Sequence, residues 1–248
     1  MEKEKDYIII EDLTISYEIK PVLWDIDLKI PKGALMAIVG PNGAGKSTLI
    51  KGMLNLVNVV AGYVKFFGKN YQEIKRKIAY VPQRGSVDWD FPTTVFDVVL
   101  MGRYGDIGWL KRPTKEDKRI ALECLERVGM TSYKNRQISE LSGGQQQRVF
   151  LARALAQKAD IYMMDEPFQG VDVVTEEAIV NIFKTLKEEG KTLIIVHHDL
   201  KTVPQYFDHV ALINLEVIAA GKVKDVFTEE NIKKTYQERS LKRTQEDA

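Results

Sequence analysis

Cysteine is nearly absent from this chain: one residue in 248, Cys124. A single thiol excludes an internal disulfide framework and any cysteine-built metal cage. It falls in the helical-looking stretch 120–128, where a buried or half-buried thiol is the expectation. Histidine is scarce as well, at 3 residues. Long apolar runs are missing, and none approaches the roughly 18–20 residues that a membrane-spanning helix needs. The charged opening Met1-Glu2-Lys3-Glu4-Lys5 has no apolar stretch behind it, so no secretory signal is expected. An excess of one charge is absent too. With 36 basic against 35 acidic residues the formal net charge is +1, and no global field points to nucleic acid or to an acidic membrane surface. The expectation is a cytoplasmic protein without a nucleic-acid partner, whose membrane role would come through another protein. The remainder is ordinary. At 44% hydrophobic and 29% charged residues the chain can bury one large α/β domain with a subsidiary lobe.

The stretch that organises the rest is Gly40-Pro41-Asn42-Gly43-Ala44-Gly45-Lys46-Ser47-Thr48. A β-prone apolar run, 34–39, precedes it, and 49–54 reads as the first turns of a helix, the context a phosphate-binding loop requires. Glycines let backbone N–H groups approach phosphate oxygens without side-chain clash. The helix N-terminus adds partial positive charge at the same point. Lys46 can reach the outer phosphates, and the Ser47 hydroxyl suits Mg²⁺. A chance match of this pattern arises on the order of once per hundred such chains, and the flanking strand and helix lower that further.

Taken in order, residues 7–15 and 22–30 read as strands, the second alternating an apolar with a polar face. Tyr17 stands at a strand end beside a turn, a place an ordinary tyrosine fills. Stretches 61–68 and 78–81 are further strands. The latter runs into Pro82-Gln83, which puts Gln83 at the carboxyl edge of a sheet, where ligands of open α/β folds collect. Helical spacing covers 93–102, opening at Thr93-Thr94, and 114–128, opening at Thr114. The link 103–113, with Tyr104 and Trp109, reads as a surface loop that either docks a partner or tucks onto its own lobe. Leu141-Ser142-Gly143-Gly144-Gln145 precedes a helical run 146–157 and offers a second helix N-terminus to an anion. Strand 160–166 ends in two carboxylates. Alternation sends Asp165 and Glu166 apart, so one can hold Mg²⁺ while the other faces a water; helix-capping acids are the plain alternative. Asp172 opens a helix to about Glu188, closed by Gly190. Strand 192–196 ends in His197-His198-Asp199. Neighbours at a strand end point apart and no third ligand is near, which disfavours zinc and favours one histidine facing a phosphate. Short strands 210–214 and 217–220 follow, broken by Gly221, then a helical terminus 225–236 and a polar tail from Gln237 expected to fray.

From about Tyr7 to Tyr236 these pieces resemble the ATP-binding cassette ATPases. Gly40 to Thr48 matches the phosphate loop, Gln83 the Gln loop, and Leu141 to Gln145 the LSGGQ signature without a change. Ile161 to Glu166 matches the Mg²⁺ strand with its adjacent glutamate, and His198 the switch histidine. The resemblance implies an α/β fold: a P-loop core with a mixed sheet, an antiparallel β subdomain and a helical signature lobe. It implies one ATPase domain over 1–236, with the core in 7–82 and 158–222, the lobe at about 84–157, and the tail 237–248. ATP and Mg²⁺ are the implied cofactors. Tyr17 would stack on adenine, Asp172 would cross to a partner subunit, and Ser47, Gln83 and Asp165 would surround the metal. Glu166, His198 and Lys46 would carry hydrolysis, with Ser142, Gly143, Gly144 and Gln145 acting from a second copy in a head-to-tail dimer.

Within the family, the stretch 81–95, Val98 to Arg103, His197 to Leu200 and 203–208 look most like manganese, zinc and iron uptake cassettes. That likeness implies a membrane permease docking near 83–112, an external metal-binding protein, and a peripheral place on the inner face of the cell membrane. Gln169 departs from the small residue common before Gly-Val-Asp. A soluble cassette without a membrane partner, such as one serving iron–sulfur assembly, shares every ATPase feature. A nucleotide-gated module with negligible turnover is disfavoured by the presence of Glu166 and His198.

Overall fold

The computed structural model describes residues 6–17, 21–87, 89–108 and 111–237. Trp109 and the tail beyond Gln237, both singled out above, lie outside these residues. Two sheets dominate. Strands β1 (Tyr7–Ser16) and β2 (Pro21–Pro31) pair antiparallel, with Ile8 opposite Ile30. Then come β3 (Leu35–Val39), helix α1 (Lys46–Met53) and β4 (Val59–Phe66), which returns to β1 with Ile8 opposite Phe66. The first sheet therefore has three antiparallel strands, ordered β2-β1-β4.

After a short turn α2 (Tyr71–Ile74) comes β5 (Ile78–Val81), followed by a helical lobe: α3 (Val95–Met101), α4 (Tyr104–Ile107), α5 (Lys115–Arg127) and α6 (Gly143–Ala156). The chain goes back to the sheet through β6 (Ile161–Asp165), α7 (Val173–Glu188), β7 (Thr192–Val196), the turn α8 (Val203–Tyr206), β8 (His209–Ile213) and β9 (Val217–Lys222). It ends in α9 (Val223–Val226) and α10 (Glu229–Tyr236). The second sheet has six strands ordered β5-β6-β7-β3-β8-β9, parallel except for β9.

Period-two alternation divides the interior between two cores. On β3, Leu35, Ala37 and Val39 face the core shared with α3, α5, α6 and α7. Met36 and Ile38 face the core under the antiparallel sheet and α1. The same split recurs on β6 (Tyr162 and Met164 against Ile161 and Met163) and on β7 (Leu193 and Ile195 against Ile194 and Val196). All five residues of β3, β6 and β7 are buried, as strands covered on both faces must be. The helices of the lobe are capped as their sequences direct: Thr94 Oγ1 accepts from the Asp97 amide at 3.2 Å, and Thr114 with Asp117 closes a capping box on α5.

Three expectations from the sequence are corrected. Gly221 does not break a strand; it pairs with Val210 inside β9, because the ladder to β8 continues through it. The terminal helix divides into α9 and α10, with Thr228 capping the second through the Asn231 amide at 3.2 Å. The link after α3 is not all surface loop. Tyr104–Ile107 form a helical turn, and Arg103 is buried, donating to Asp117 Oδ1 at 3.2 Å and to the Ala156 carbonyl at 2.9 Å. A buried guanidinium needs such partners, since leaving it unpaired costs several kcal/mol; it joins the ends of α3, α5 and α6.

Cys124 is buried in the lobe, and burial pushes its thiol up to about 11. Iodoacetamide at pH 7.5, read by mass spectrometry, is therefore expected to leave the native chain unlabelled and to label it fully in denaturant.

Candidate nucleotide site

Four parallel strands end at one edge of the large sheet, and each hands over a polar residue there. β3 leads into Gly40 and the phosphate loop, β5 into Gln83, β6 ends on Asp165 with Glu166 next, and β7 leads into His197 and His198. The carboxyl edge of an open α/β sheet is where ligands bind.

The phosphate loop is held tightly. A Cβ on Gly40 would stand 1.9 Å from the Ile213 carbonyl oxygen, so only glycine fits between β3 and β8. Gly45 has φ 88, in the left-handed region, and a Cβ there would meet Leu23 at 2.4 Å. Lys46 Nζ donates to the carbonyls of Gly40 at 2.9 Å and Pro41 at 2.8 Å. An ammonium has three protons, which leaves one for a third acceptor in the loop. Burial lowers the Lys46 pKa, while Glu166 and Asp165 pull it back up. Helix α1 begins at Lys46 with no acid of its own in the first turn, so its free N–H groups and dipole favour an anion there.

Beside the loop, Ser47 Oγ donates to Asp165 Oδ1 at 2.8 Å. Asp165 is 1% exposed. Burial raises its pKa, opposed by the Ser47 hydrogen bond. Glu166, one residue past the end of β6, accepts from Gln83 Nε2 at 3.0 Å. Its backbone sits at φ 53, a left-handed conformation that costs a non-glycine residue roughly 1–2 kcal/mol. Strain of this kind gathers at working sites. Gln83 keeps its amide oxygen for other partners. The Ser47 hydroxyl, Asp165 carboxylate and Gln83 carbonyl make an all-oxygen donor set, the chemistry that fits Mg²⁺ with several waters retained.

Tyr17 is 54% exposed, and its hydroxyl lies 3.5 Å from Thr48 Oγ1, at the mouth of the loop. His198 is exposed beyond the end of β7, whereas His197 is buried beneath it.

The signature stretch lies on the lobe at the start of α6. Ser142 is its N-cap: Ser142 Oγ accepts from the Gln145 amide, and Gln145 Oε1 accepts from the Ser142 amide at 2.9 Å. Gly143 is covered by the Arg84 guanidinium, which a Cβ would meet at 2.8 Å. Gly144 faces Val171, with 3.6 Å between a built Cβ and its side chain. Asp172 caps α7 through the Thr175 amide at 2.8 Å. Sequence reasoning missed Arg84, whose Nε and Nη2 both reach Gln146 Oε1, at 3.2 and 3.1 Å. It also missed Thr202, bonded to His197. Neither residue belongs to a recognisable pattern; both act through contacts distant in sequence or across a turn. Among the described residues no cluster of three His, Cys, Asp or Glu side chains could hold a metal, and no helix is long and apolar enough to cross a membrane.

A parallel sheet with a glycine loop and lysine at its carboxyl edge defines a P-loop nucleotide-binding protein. A family profile for ABC transporters matches residues 23–169. The chain is 61% identical to the zinc transport system ATP-binding protein TroB of Treponema pallidum, over 92% of this chain and 85% of that one. It is 59% identical to the manganese transport system ATP-binding protein MntB of Bacillus subtilis, over 92% and 91%. Among solved structures, a metal-chelate type ABC transporter in an inward-facing conformation matches with a TM-score of 0.80 at 25% identity, over 92% and 88% of the two chains. The ADP conformation of an ATP-binding cassette of an ABC transporter matches with a TM-score of 0.79 at 26% identity, over 92% and 97%. The chain belongs to the ABC transporter family and is an ATPase subunit of it.

His197 supplies a pH dependence. Burial, with His198 beside it, pushes its pKa down to about 4, and Asp199 opposes the shift. Between about pH 6.5 and 4 the unfolded chain binds the proton that the folded chain excludes, so stability falls as pH falls through that window. The loss is about 3 kcal/mol. Urea unfolding at pH 7 and pH 4.5 should show it, and replacing His197 by Gln should remove that part of the difference.

Proposed function

We propose that the chain is the ATP-hydrolysing subunit of an importer for a divalent metal ion, of the manganese, zinc or iron class. It would work as a head-to-tail pair on a membrane permease. The observation that carries this reading is the meeting of Lys46, the Ser47–Asp165 pair, the Gln83–Glu166 pair and His198 at one sheet edge. That meeting occurs in a chain closely similar to zinc and manganese transport system ATP-binding proteins.

The phosphates of ATP lie in Gly40 to Thr48, met by the N–H groups of the loop and of α1, while Lys46 offers its remaining proton to the outer phosphates. Tyr17 stacks on the adenine. Ser47, Asp165 and Gln83 would hold Mg²⁺, which would neutralise charge on the outer phosphates. Glu166 accepts a proton from the attacking water, and Gln83 aims its carboxylate. His198 donates to the γ-phosphate. Ser142, Gly143, Gly144 and Gln145 of a second copy close the far side of the nucleotide with the N-terminus of α6, and Asp172 crosses between copies. A γ-phosphate thus completes an interface that ADP leaves open.

We assign the ATPase domain to 1–236, with the β and P-loop core in 7–82 and 158–222 and the lobe in about 84–157. The permease docks on 83–112, where Phe91 and Tyr104 are 57% and 50% exposed. Large aromatic residues left in water are what a partner's apolar segment would cover. An external metal-binding protein delivers the ion to the permease, and this chain sits on the inner face of the membrane. No ion ligand is required of the ATPase itself.

Glu166→Gln is expected to bind ATP and dimerise, with phosphate release slowed by about 10²–10⁴; turnover near that of the parent chain would overturn the role of Glu166. A tagged chain purified from gently solubilised cells should bring down a multispanning membrane protein. That protein should be lost with Phe91→Asp and kept with Glu166→Gln. Recovery of soluble assembly proteins alone, with the chain absent from membranes, would instead favour the soluble cassette.

A further inference from the structure

Two of the chain's three histidines stand together, and the proposed chemistry uses only the second. His197 is 2% exposed at the end of β7. Phe168 meets its ring edge-on at 5.4 Å, and Phe207 packs on it at 5.2 Å. Phe168 belongs to the loop that follows Glu166, and it also touches Phe183 of α7 at 5.8 Å. The His197 ring thus sits where the Glu166 loop, α7 and the segment after β7 meet.

Its hydrogen bonds define its tautomer. Nε2 lies 2.7 Å from Thr202 Oγ1, and Nδ1 is buried without a partner. Thr202 Oγ1 is also 3.1 Å from the Asp199 carbonyl, which can only accept. A hydroxyl has one proton. With that proton on the Asp199 carbonyl, the Thr202 oxygen accepts, and His197 donates from Nε2–H. The opposite tautomer would strand a buried Nδ1–H among aromatic rings and take the hydroxyl away from Asp199, a loss of about 1–3 kcal/mol.

We propose that His197 is the positioning residue for His198: its Nε2–H bond to Thr202 ties the Asp199–Thr202 turn to the end of β7, while its ring is wedged against Phe168. His198 is exposed, its ring 5.9 Å from that of His197, so its aim comes from the backbone on either side. That backbone is anchored on one side by β7 and on the other by the Thr202 bond. Through Phe168 the same anchor carries the Glu166 loop, so the proton acceptor and the residue that donates a hydrogen bond to the γ-phosphate share one buried support. Burial keeps His197 uncharged until about pH 4, so the support does not change with pH in the working range. The inference rests on the role proposed for His198.

The test compares His197→Phe, which keeps the ring and loses the donor, with His197→Gln, whose side-chain N–H reaches to about the same place. The Phe variant should lose about tenfold in kcat with KM for ATP within about twofold, and the Gln variant should restore most of the loss. Thr202→Val should match the Phe variant, and the double variant should fall no further than either alone. Histidine nitrogen NMR should report an Nε2–H tautomer. Parent turnover in the Phe variant, additive losses in the double variant, or an Nδ1–H tautomer would each overturn the inference. His198→Ala separates the two levels: if it keeps full turnover, the role of His198 itself fails. If it loses turnover while His197→Phe does not, only the positioning role fails.

Discussion

One hydrogen bond, 2.8 Å from Ser47 Oγ to Asp165 Oδ1, joins the phosphate loop to a strand that is not its neighbour. β7 lies between β3 and β6 in the sheet, and the bond reaches across the top of it. It is possible because the strands are parallel and end together, so residues from separate parts of the chain come out at one level. Every polar group of the site is placed relative to that edge. The cost is a carboxylate 1% exposed. Asp165 is tolerable there because a hydroxyl donor and two lysine charges, Lys51 and Lys46, offset the burial.

The loop itself is restrained by packing as much as by phosphate chemistry. Gly40 is pressed on Ile213, Gly45 on Leu23, and the Leu215 amide donates to the Ala44 carbonyl at 3.1 Å. Leu23 and Ile213 belong to the core under the antiparallel sheet. That sheet is thus the floor of the loop, and its strand end carries Tyr17 to the mouth. The helix starts at Lys46 and at Gly143, both assigned to the nucleotide in the proposed function, stand on different bodies of the fold: α1 is on the sheet core and α6 on the lobe.

Much of this was legible in the sequence, and the limit has a physical form. Unbroken apolar runs exposed β3, β6 and β7 because both faces of the large sheet are buried, alternation exposed β2 because only one of its faces is covered, and Thr94, Thr114 and Asp172 declared their helices because capping is local. Alternation did not reach Glu166, which lies past the end of β6 with φ 53. Contacts across the fold left no such trace. Arg103 in a loop of glycines and basic residues looked exposed, yet it is buried against Asp117 and Ala156, partners far along the chain. Gly221 looked like punctuation and is a paired strand residue, since a glycine in an edge ladder has the same signature as one in a turn. His197 and His198 differ in environment completely, and only the sheet's covering says which is inside.

Arg84 shows how the two bodies are connected. Gln83 holds Glu166 by one hydrogen bond at 3.0 Å, worth about 1.5–3 kcal/mol for a charged acceptor. The next residue, Arg84, grips the signature helix through two charged-donor bonds to Gln146 and lies over Gly143. Its carbonyl accepts from Trp89 Nε1 at 3.0 Å, and Trp89 packs on Phe150 of the same helix at 4.7 Å, an aromatic pair adding about 0.5–1.5 kcal/mol. The grip on the lobe is the stronger of the two. A displacement of the lobe would therefore take Gln83 off Glu166 before it took Arg84 off Gln146. The hydrogen bond on Glu166 holds only while the lobe is seated, a constraint built from one backbone step between two unequal sets of bonds.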